Sequence, residues 1–342
     1  MKPSAIDLFA GAGGATRGLR DAGFDVLGAV EVDGSAAQTY RLNHPGTHLI
    51  ESDIRTVSAS ALRRSLGLGP RELDLLKTCP PCQGFSTLAS GKGLADDERN
   101  DLVFHTVRFV RAFMPRAVLL ENVPGLARDA RLGSIRESLA ALGYASRIYE
   151  FEASRFGIPQ RRKRLIMIAL RGRRFQLPDD IGAIVPEYIS SASAQTAFRE
   201  VAATQRSDDP LWKHRTHNAK VSARIAAIPV GGNRFDLPEE HQLDCHKNLS
   251  RRNATASYGR IKLGEPAPTM TTRCTTPACG SFVHPTENRG ITLREAAAIQ
   301  TFPTNYDFIG DYGSIERQIG NAVPVRMAKV LGVVIRRLLP GG

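Results

Sequence analysis

No stretch of this chain stays apolar over the length a membrane-spanning helix needs, and its first residues lack the hydrophobic core of a secretory signal. Both absences lead us to expect a cytoplasmic protein. Internal repeats and low-complexity tracts are missing too, which excludes solenoid arrays. Cysteine is sparse and odd in number, five in 342 residues. Without a secretory signal, that speaks for free thiols in a reducing compartment rather than a disulfide framework. Cys79-Pro80-Pro81-Cys82 is a C-x-x-C, but a zinc ribbon needs a second pair, and Cys274 and Cys279 have the wrong spacing for one. We expect no metal site. Acidic residues are in short supply, 34 Asp plus Glu against 46 Lys plus Arg, for a net charge of +12. That excess suits a polyanionic partner, and nucleic acid is the usual one.

What is present has an order. Residues 1–170 alternate short apolar runs with helical patterns. Strands are expected at Ala5 to Phe9, Asp25 to Val30, a third closing at Asp53-Ile54, then Asp74 to Lys77, Ala117 to Leu120, Tyr144 to Phe151 and Arg164 to Leu170. Strands alternating with helices imply an α/β fold, a doubly wound and mainly parallel sheet. After Leu170 the pattern breaks. Residues 171–290 carry Arg, Thr, Pro and Gly without a long periodic helix and read as a smaller irregular domain. Thr292 as N-cap and Glu295 three residues on form a capping box, and Val325 to Leu339 has the spacing of a helix packing back on the first domain.

Chemistry-bearing residues fall at the expected strand ends, where open α/β sheets bind ligands. Gly11-Ala12-Gly13-Gly14 allows close backbone approach to a ligand at a helix N-terminus. Glu31 ends the next strand, placed to accept both hydroxyls of a ribose, and Asp53-Ile54 offers an acceptor and an apolar face to an adenine. NAD and S-adenosylmethionine would both suit these features. Pro80-Pro81-Cys82-Gln83-Gly84 holds one thiol rigidly at the end of the fourth strand, and Glu121 ends the fifth. A thiolate adding to C6 of a pyrimidine, with a carboxyl at N3, is chemistry such a pair can perform. Gln160-Arg161-Arg162-Lys163-Arg164 can bring a guanidinium to the ring O2.

In this order the motifs resemble those of a DNA (cytosine-5) methyltransferase of the bacterial type, over nearly the whole chain. Asp7 to Gly14 resembles the cofactor loop, Pro80-Pro81-Cys82 the nucleophile motif, Glu121-Asn122-Val123 the acid motif, and Gln160, Arg162 and Arg164 the Q-x-R-x-R. Arg294 to Pro303 resembles the motif that braces the recognition domain, and Gln318 to Pro324 the last cofactor-contacting motif. The resemblance implies a Rossmann-like, S-adenosylmethionine-dependent catalytic domain at 1–178 and 311–342, with a target-recognition domain at 179–310. It implies S-adenosyl-L-methionine as cofactor, held by Phe9, Ala10, Gly11, Gly13, Gly14, Glu31, Val32, Asp53, Ile54, Pro80, Leu102, Asn321 and Ala322. The implied catalytic set is Cys82, Glu121, Arg162 and Arg164. The target base must leave the stack to be reached, and the segment Gln83 to Arg99 is expected to close over the DNA. Double-stranded DNA is the implied partner, with no membrane. A monomer in the bacterial cytoplasm, associated with the nucleoid and accompanied by a restriction endonuclease of the same system, completes the expectation.

Two departures stand out. Val32 takes the place of an aromatic that stacks on adenine, and Thr78-Cys79 replaces a small Gly pair. Three rivals share part of the pattern. A tRNA cytosine methyltransferase has the same catalytic set, but the large basic recognition region speaks for DNA. A silent DNA-binding regulator would not need Cys82, Glu121 and Arg164 together. An NAD oxidoreductase accounts for the glycine loop and nothing else. Sequence choice is expected between about Leu237 and Pro268, where Lys247, Arg251, Arg252, Arg260 and Lys262 can meet phosphates or guanine edges. Thr269-Met270 resembles a Thr-plus-apolar pair of such domains.

Overall fold

A run of short apolar segments separated by capped helices folds here as one sheet and its cover. The computed structural model describes residues 2–81, 98–172, 177–204, 208–244 and 257–339. They form two compact units: residues 1–153, 163–189 and 325–342 make the first, and 154–162 with 190–324 make the second.

The first unit is built on β1 (Ser4–Leu8), β2 (Asp25–Glu31), β3 (His48–Glu51), β4 (Leu75–Thr78), β5 (Ala117–Asn122), β6 (Tyr144–Glu152) and β7 (Lys163–Arg171). Their spatial order is β3-β2-β1-β4-β5-β7-β6. β1 to β5 pair in parallel, while β7 runs antiparallel to both β5 and β6. The expected fold class is therefore found. β4 and β5 are buried at every position, as strands covered on both faces must be. Strand order reverses between β1 and β4, so a crevice opens at their carboxyl ends. The third strand ends earlier than expected. β3 stops at Glu51, and Asp53-Ile54 lies in the turn beyond, because Asp53 receives the N–H and guanidinium of Arg55 instead of continuing the ladder.

Helices α1 (Gly14–Asp21), α2 (Gly34–Asn43), α3 (Ala59–Ser65), α4 (His105–Phe113) and α5 (Ala130–Ala141) cover this sheet, with a single turn α6 (Ile181–Ile184) after β7. Asp33, Ser58 and Asp129 cap α2, α3 and α5 through their side chains. Between the layers lies a core of Ile6, Leu8, Leu76, Phe109, Phe113, Val118, Leu120 and Met167, all fully buried. A second, polar, core sits beside it. Lys77 Nζ meets Asp7 Oδ1 at 2.8 Å, and Thr16 Oγ1 donates to Asp7 Oδ2 at 2.8 Å and lies 2.9 Å from the Tyr40 hydroxyl.

The second unit holds α7 (Ala194–Ala203), α8 (Ala219–Ala226), α9 (Leu293–Ile299) and α10 (Tyr312–Asn321) among short turns. The ten-residue α7 was not expected; it lies in a stretch whose Ser, Ala and Thr content hides its buried Ala194, Ala197 and Val201 face. The Thr292–Glu295 capping box of α9 is present in both directions. A small apolar core of Ile225, Ile228, Leu237, Tyr258 and Val283 is framed by Arg260. That guanidinium donates to the carbonyls of Ile225, Ile228, His284 and Glu287 and to Asn288.

The chain then returns to the first unit as α11 (Val325–Leu338). It crosses α1 so closely that a Cβ on Gly18 would lie 2.2 Å from the Val325 carbonyl oxygen. Among the described residues no helix is long and apolar enough to cross a membrane.

Candidate active site

The turn after β1 is made of conformations that side chains resist. Phe9, Gly11 and Gly13 have φ of 57°, 55° and 90°, and Gly13 opens α1 with no side-chain cap. The first-turn N–H groups of α1 are thus left for a ligand. Beside Gly11 there is open space, since a Cβ would meet no atom within 4 Å. Ala10 is tied to β2 by its N–H on the Val30 carbonyl, and Ala10 O accepts from Gly13 N. His44, buried on the far side, closes the turn. Arg20 faces its Nδ1 at 3.4 Å, so Nε2–H donates to Gly13 O at 3.1 Å. Burial and the Arg20 charge hold that imidazole down at about 4, so it is neutral.

Glu31 ends β2 with its carboxylate against the same turn. Oε2 accepts from Gly11 N at 2.7 Å, while Oε1 accepts from Val32 N and Asp33 N. Burial raises its pKa above the usual range, and the three backbone donors offset part of that. A carboxylate has about four acceptor positions, so one remains for a ribose hydroxyl. Val32 beyond it is exposed, and Ile54 is buried beneath the turn after β3. Asp53 in that turn is held in its charged form by the Arg55 guanidinium and N–H. Leu102 packs against the large core cluster to which Ile54 and Val57 belong. Turn, acid and apolar pocket fit an adenosyl group: donors for its charged end, an acceptor for ribose, and apolar walls for a ring.

Glu121 is the centre of the second cluster. It is the penultimate residue of β5, is almost fully buried, and its two oxygens have different neighbours. Arg164 Nε stands 2.9 Å from Oε1, and Cys79 Sγ donates to Oε2 at 2.7 Å. The sheet explains this meeting. Thr78 pairs with Leu120, so the next residue on each strand is Cys79 and Glu121. Ile166 of the antiparallel β7 pairs with Glu121 on the other side, so Arg164, two residues away on the same face, reaches it diagonally. Asn122 Nδ2 donates to the carbonyl of buried Pro80 at 3.2 Å, fixing the start of the Pro-Pro turn. Cys82 lies outside the described residues, as do most of Gln83 to Arg99.

The remaining site residues expected from the sequence belong to the second unit. Arg162 is buried there, donating to the carbonyls of Met270 and Ala322, both at 3.2 Å. Asn321 ends α10, and Ala322 O also accepts from Gln300. Gln160 joins the same node through Gln300, the Ile299 carbonyl and Met270 N. Arg260 cannot read DNA as expected, because its five donors are spent on the unit's own frame. Lys262 remains exposed, paired with Glu265. Lys247, Arg251 and Arg252 lie outside the described residues. Of the other thiols, Cys274 is buried and Cys279 exposed.

Sequence reasoning missed Cys79 as a partner of Glu121, His44 behind the glycine turn, and Asn122 on Pro80. Each acts through a neighbour distant in sequence, and the strand register alone could have paired the first.

The model of C-5 cytosine-specific DNA methylases matches residues 4–337. The Type II methylase M.HgiDII of Herpetosiphon aurantiacus is 32% identical over 357 residues, covering 100% of this chain and 97% of that one. The Type II methyltransferase M.PspPI of a Psychrobacter species is 34% identical, covering 98% and 79%. The crystal structure of the Dnmt2 methyltransferase of S. pombe shares the fold, with a TM-score of 0.67 at 17% identity over 98% of both chains. A carboxyl and a guanidinium joined at adjacent strand ends, a glycine turn closed by an acid, and a family match over nearly the whole length agree: this chain belongs to the C-5 cytosine-specific DNA methylases, which use S-adenosylmethionine as methyl donor.

Proposed function

We propose that this enzyme methylates a cytosine flipped out of a specific duplex DNA site, through a covalent bond from Cys82 to C6. The observation that carries this reading is the buried Glu121 carboxyl, held by Arg164 on one oxygen and Cys79 on the other, beside the strand that leads into Pro80-Pro81-Cys82. Cys82 loses its proton and its sulfur adds to C6, while Glu121 hydrogen-bonds N3 and Arg164 the ring O2, so the added electron pair is stabilised toward C5. A free thiol near pKa 8.5 is only a few per cent thiolate at neutral pH, so activation by the site or by the substrate is required. S-adenosylmethionine supplies the electrophilic methyl group that C5 takes. Loss of the C5 proton to solvent base and departure of the Cys82 thiolate then free the product. Glu31 would hold the ribose, the Phe9 to Gly14 turn the amino-acid end, Asp53 and Ile54 the adenine, with Val32, Pro80, Leu102, Asn321 and Ala322 completing the contacts. Arg162 would serve this set by fixing the Ala322 backbone.

Residues 1–178 and 311–342 would form the catalytic domain, and 179–310 the target-recognition domain. The Type II relatives support a DNA substrate. On this reading the enzyme acts as a monomer in a bacterial cytoplasm, beside a companion restriction endonuclease. Duplex DNA carrying 5-fluorocytosine at the target tests the mechanism, because fluorine blocks the elimination. Wild type should remain attached on a denaturing gel and Cys82→Ala should not. Equal trapping by both would overturn the Cys82 assignment, and a methyl acceptor preference for tRNA over duplex DNA would overturn the substrate.

A further inference from the structure

The turn after β3 is shaped by its own bonds. Thr56 N and Oγ1 both return to the Asp53 carbonyl, at 2.9 Å, and Ser52 Oγ meets Thr56 Oγ1 at 2.9 Å. Those bonds set its curvature but not its place. Its place comes from α4. Arg108 NH1 donates to Val57 O at 2.5 Å, and NH2 donates to Ile54 O. The guanidinium lies over the Phe109 ring at 5.0 Å, and the His105 Nδ1 stands 3.2 Å from NH2. Two donors of one rigid fork therefore grip two carbonyls of one turn.

We propose that Arg108 is a positioning residue for the adenine end of S-adenosylmethionine, fixing the height of the Asp53-Ile54 turn against the ring. The inference rests on the cofactor reading above. Its physical content is that a ring slot tolerates little displacement. Ile54 must meet a ring face at van der Waals distance while an acceptor meets the 6-amino edge, and both come from the turn that Arg108 holds. A lysine at this position keeps the charge but is a point donor that cannot span both carbonyls.

The test is calorimetry with S-adenosylhomocysteine and with its inosyl counterpart, in which a carbonyl replaces the 6-amino group. Wild type, Arg108→Lys, Arg108→Gln and the exposed neighbour Arg111→Met would be compared. Wild type and Arg111→Met should prefer the adenosyl compound. The Arg108 variants should bind it roughly ten- to thirtyfold more weakly, as expected for losing the 6-amino hydrogen bond to a charged acceptor. They should lose less affinity for the inosyl compound, which forfeits only the Ile54 ring contact and has no 6-amino bond to lose. KM for S-adenosylmethionine should rise while kcat at saturation stays within about twofold, the pattern of lost uniform binding. A wild type indifferent to the 6-substituent, a preference unchanged in the Arg108 variants, or a fall in kcat with KM unchanged would each overturn the inference while leaving the cofactor reading standing. Wild-type protein that bound neither compound would overturn the cofactor reading and this inference with it. Circular dichroism melts of the variants identify any loss that is unfolding, in which case a fall shared equally by both compounds also counts against the proposal.

Discussion

Each oxygen of Glu121, the carboxyl we assign to N3 of the target base, has a neighbour, and the neighbours are not equivalent. The Arg164 contact is between charges, whereas the Cys79 contact is a single weak donor. Cys79→Ala should therefore slow single-turnover methylation by no more than about tenfold, the scale of one neutral hydrogen bond. Cys79→Ser, which keeps a donor, should recover part of that rate. Glu31→Ala removes the acceptor we assign to the ribose and should weaken S-adenosylmethionine binding roughly ten- to a hundredfold by calorimetry. Because burial raises the Glu31 pKa, wild-type affinity should also fall at a higher pH than an ordinary glutamate would cause, a slope that Glu31→Ala should lack. His44 gives a pH dependence of the opposite kind of group. Its imidazole is lowered to about 4, so the unfolded chain binds the proton first. Stability from this group is complete above about pH 6.5 and is lost as pH falls toward 4. Denaturant titrations across that range should flatten in His44→Gln. Glu31 and Glu121 were legible in the sequence because strand ends can be read from apolar runs. Cys79 was not, because its partner is set by the β4–β5 register, and in sequence it looked like half of a C-x-x-C.

The elements meet at two places where the chain has little freedom. Lys77 and Asp7 join β4 to β1 under the glycine turn, both buried. Lys77→Met leaves the Asp7 charge without its partner and should cost about 3–5 kcal/mol, while the double change with Asp7→Asn should recover much of it. Equilibrium unfolding of the three variants reads that difference. The other place is the α1–α11 crossing, where Gly18→Ala would press a methyl into the Val325 carbonyl and should cost about 1–3 kcal/mol. In the second unit, Arg260→Ala should lower stability without changing site preference, since its bonds are all internal. Local signals survived translation into structure best. The Thr292–Glu295 box lies within one turn, and it formed as read. The end of β3 did not, because Ser52 N makes the last bond to β2, on Glu31 O, and Arg55 then draws Asp53 into a turn. No periodicity count foresees that exchange.

At the scale of the molecule, the charge of +12 makes DNA affinity a function of salt. Binding measured across a salt series should give a linear log–log fall. Lys262→Ala, exposed and outside the core, should reduce its slope by about one if it meets a phosphate. The same variant should leave methylation site preference unchanged. The alternating pattern of the sequence stops after Leu170, but no sequence signal marks the threading of the two compact units. The chain passes between them at Ala153–Ser154, Arg162–Lys163, Ile189–Ser190 and Pro324–Val325. Residues 154–162 are thus committed to the second unit although they lie between two strands of the sheet. Gln160 pairs with Ala267 and grips Gln300, and Arg161 N and Pro159 O both bond Ala267. That threading limits how this enzyme's target preference can be exchanged by recombination. A segment inherited from a relative that replaced Gln300 would set a foreign side chain against native Gln160, whereas the Ala267 bonds are backbone to backbone and tolerate any residue but proline. If target preference resides in this unit, as proposed, an exchanged segment that stops short of Gln300 keeps that side-chain bond between native partners.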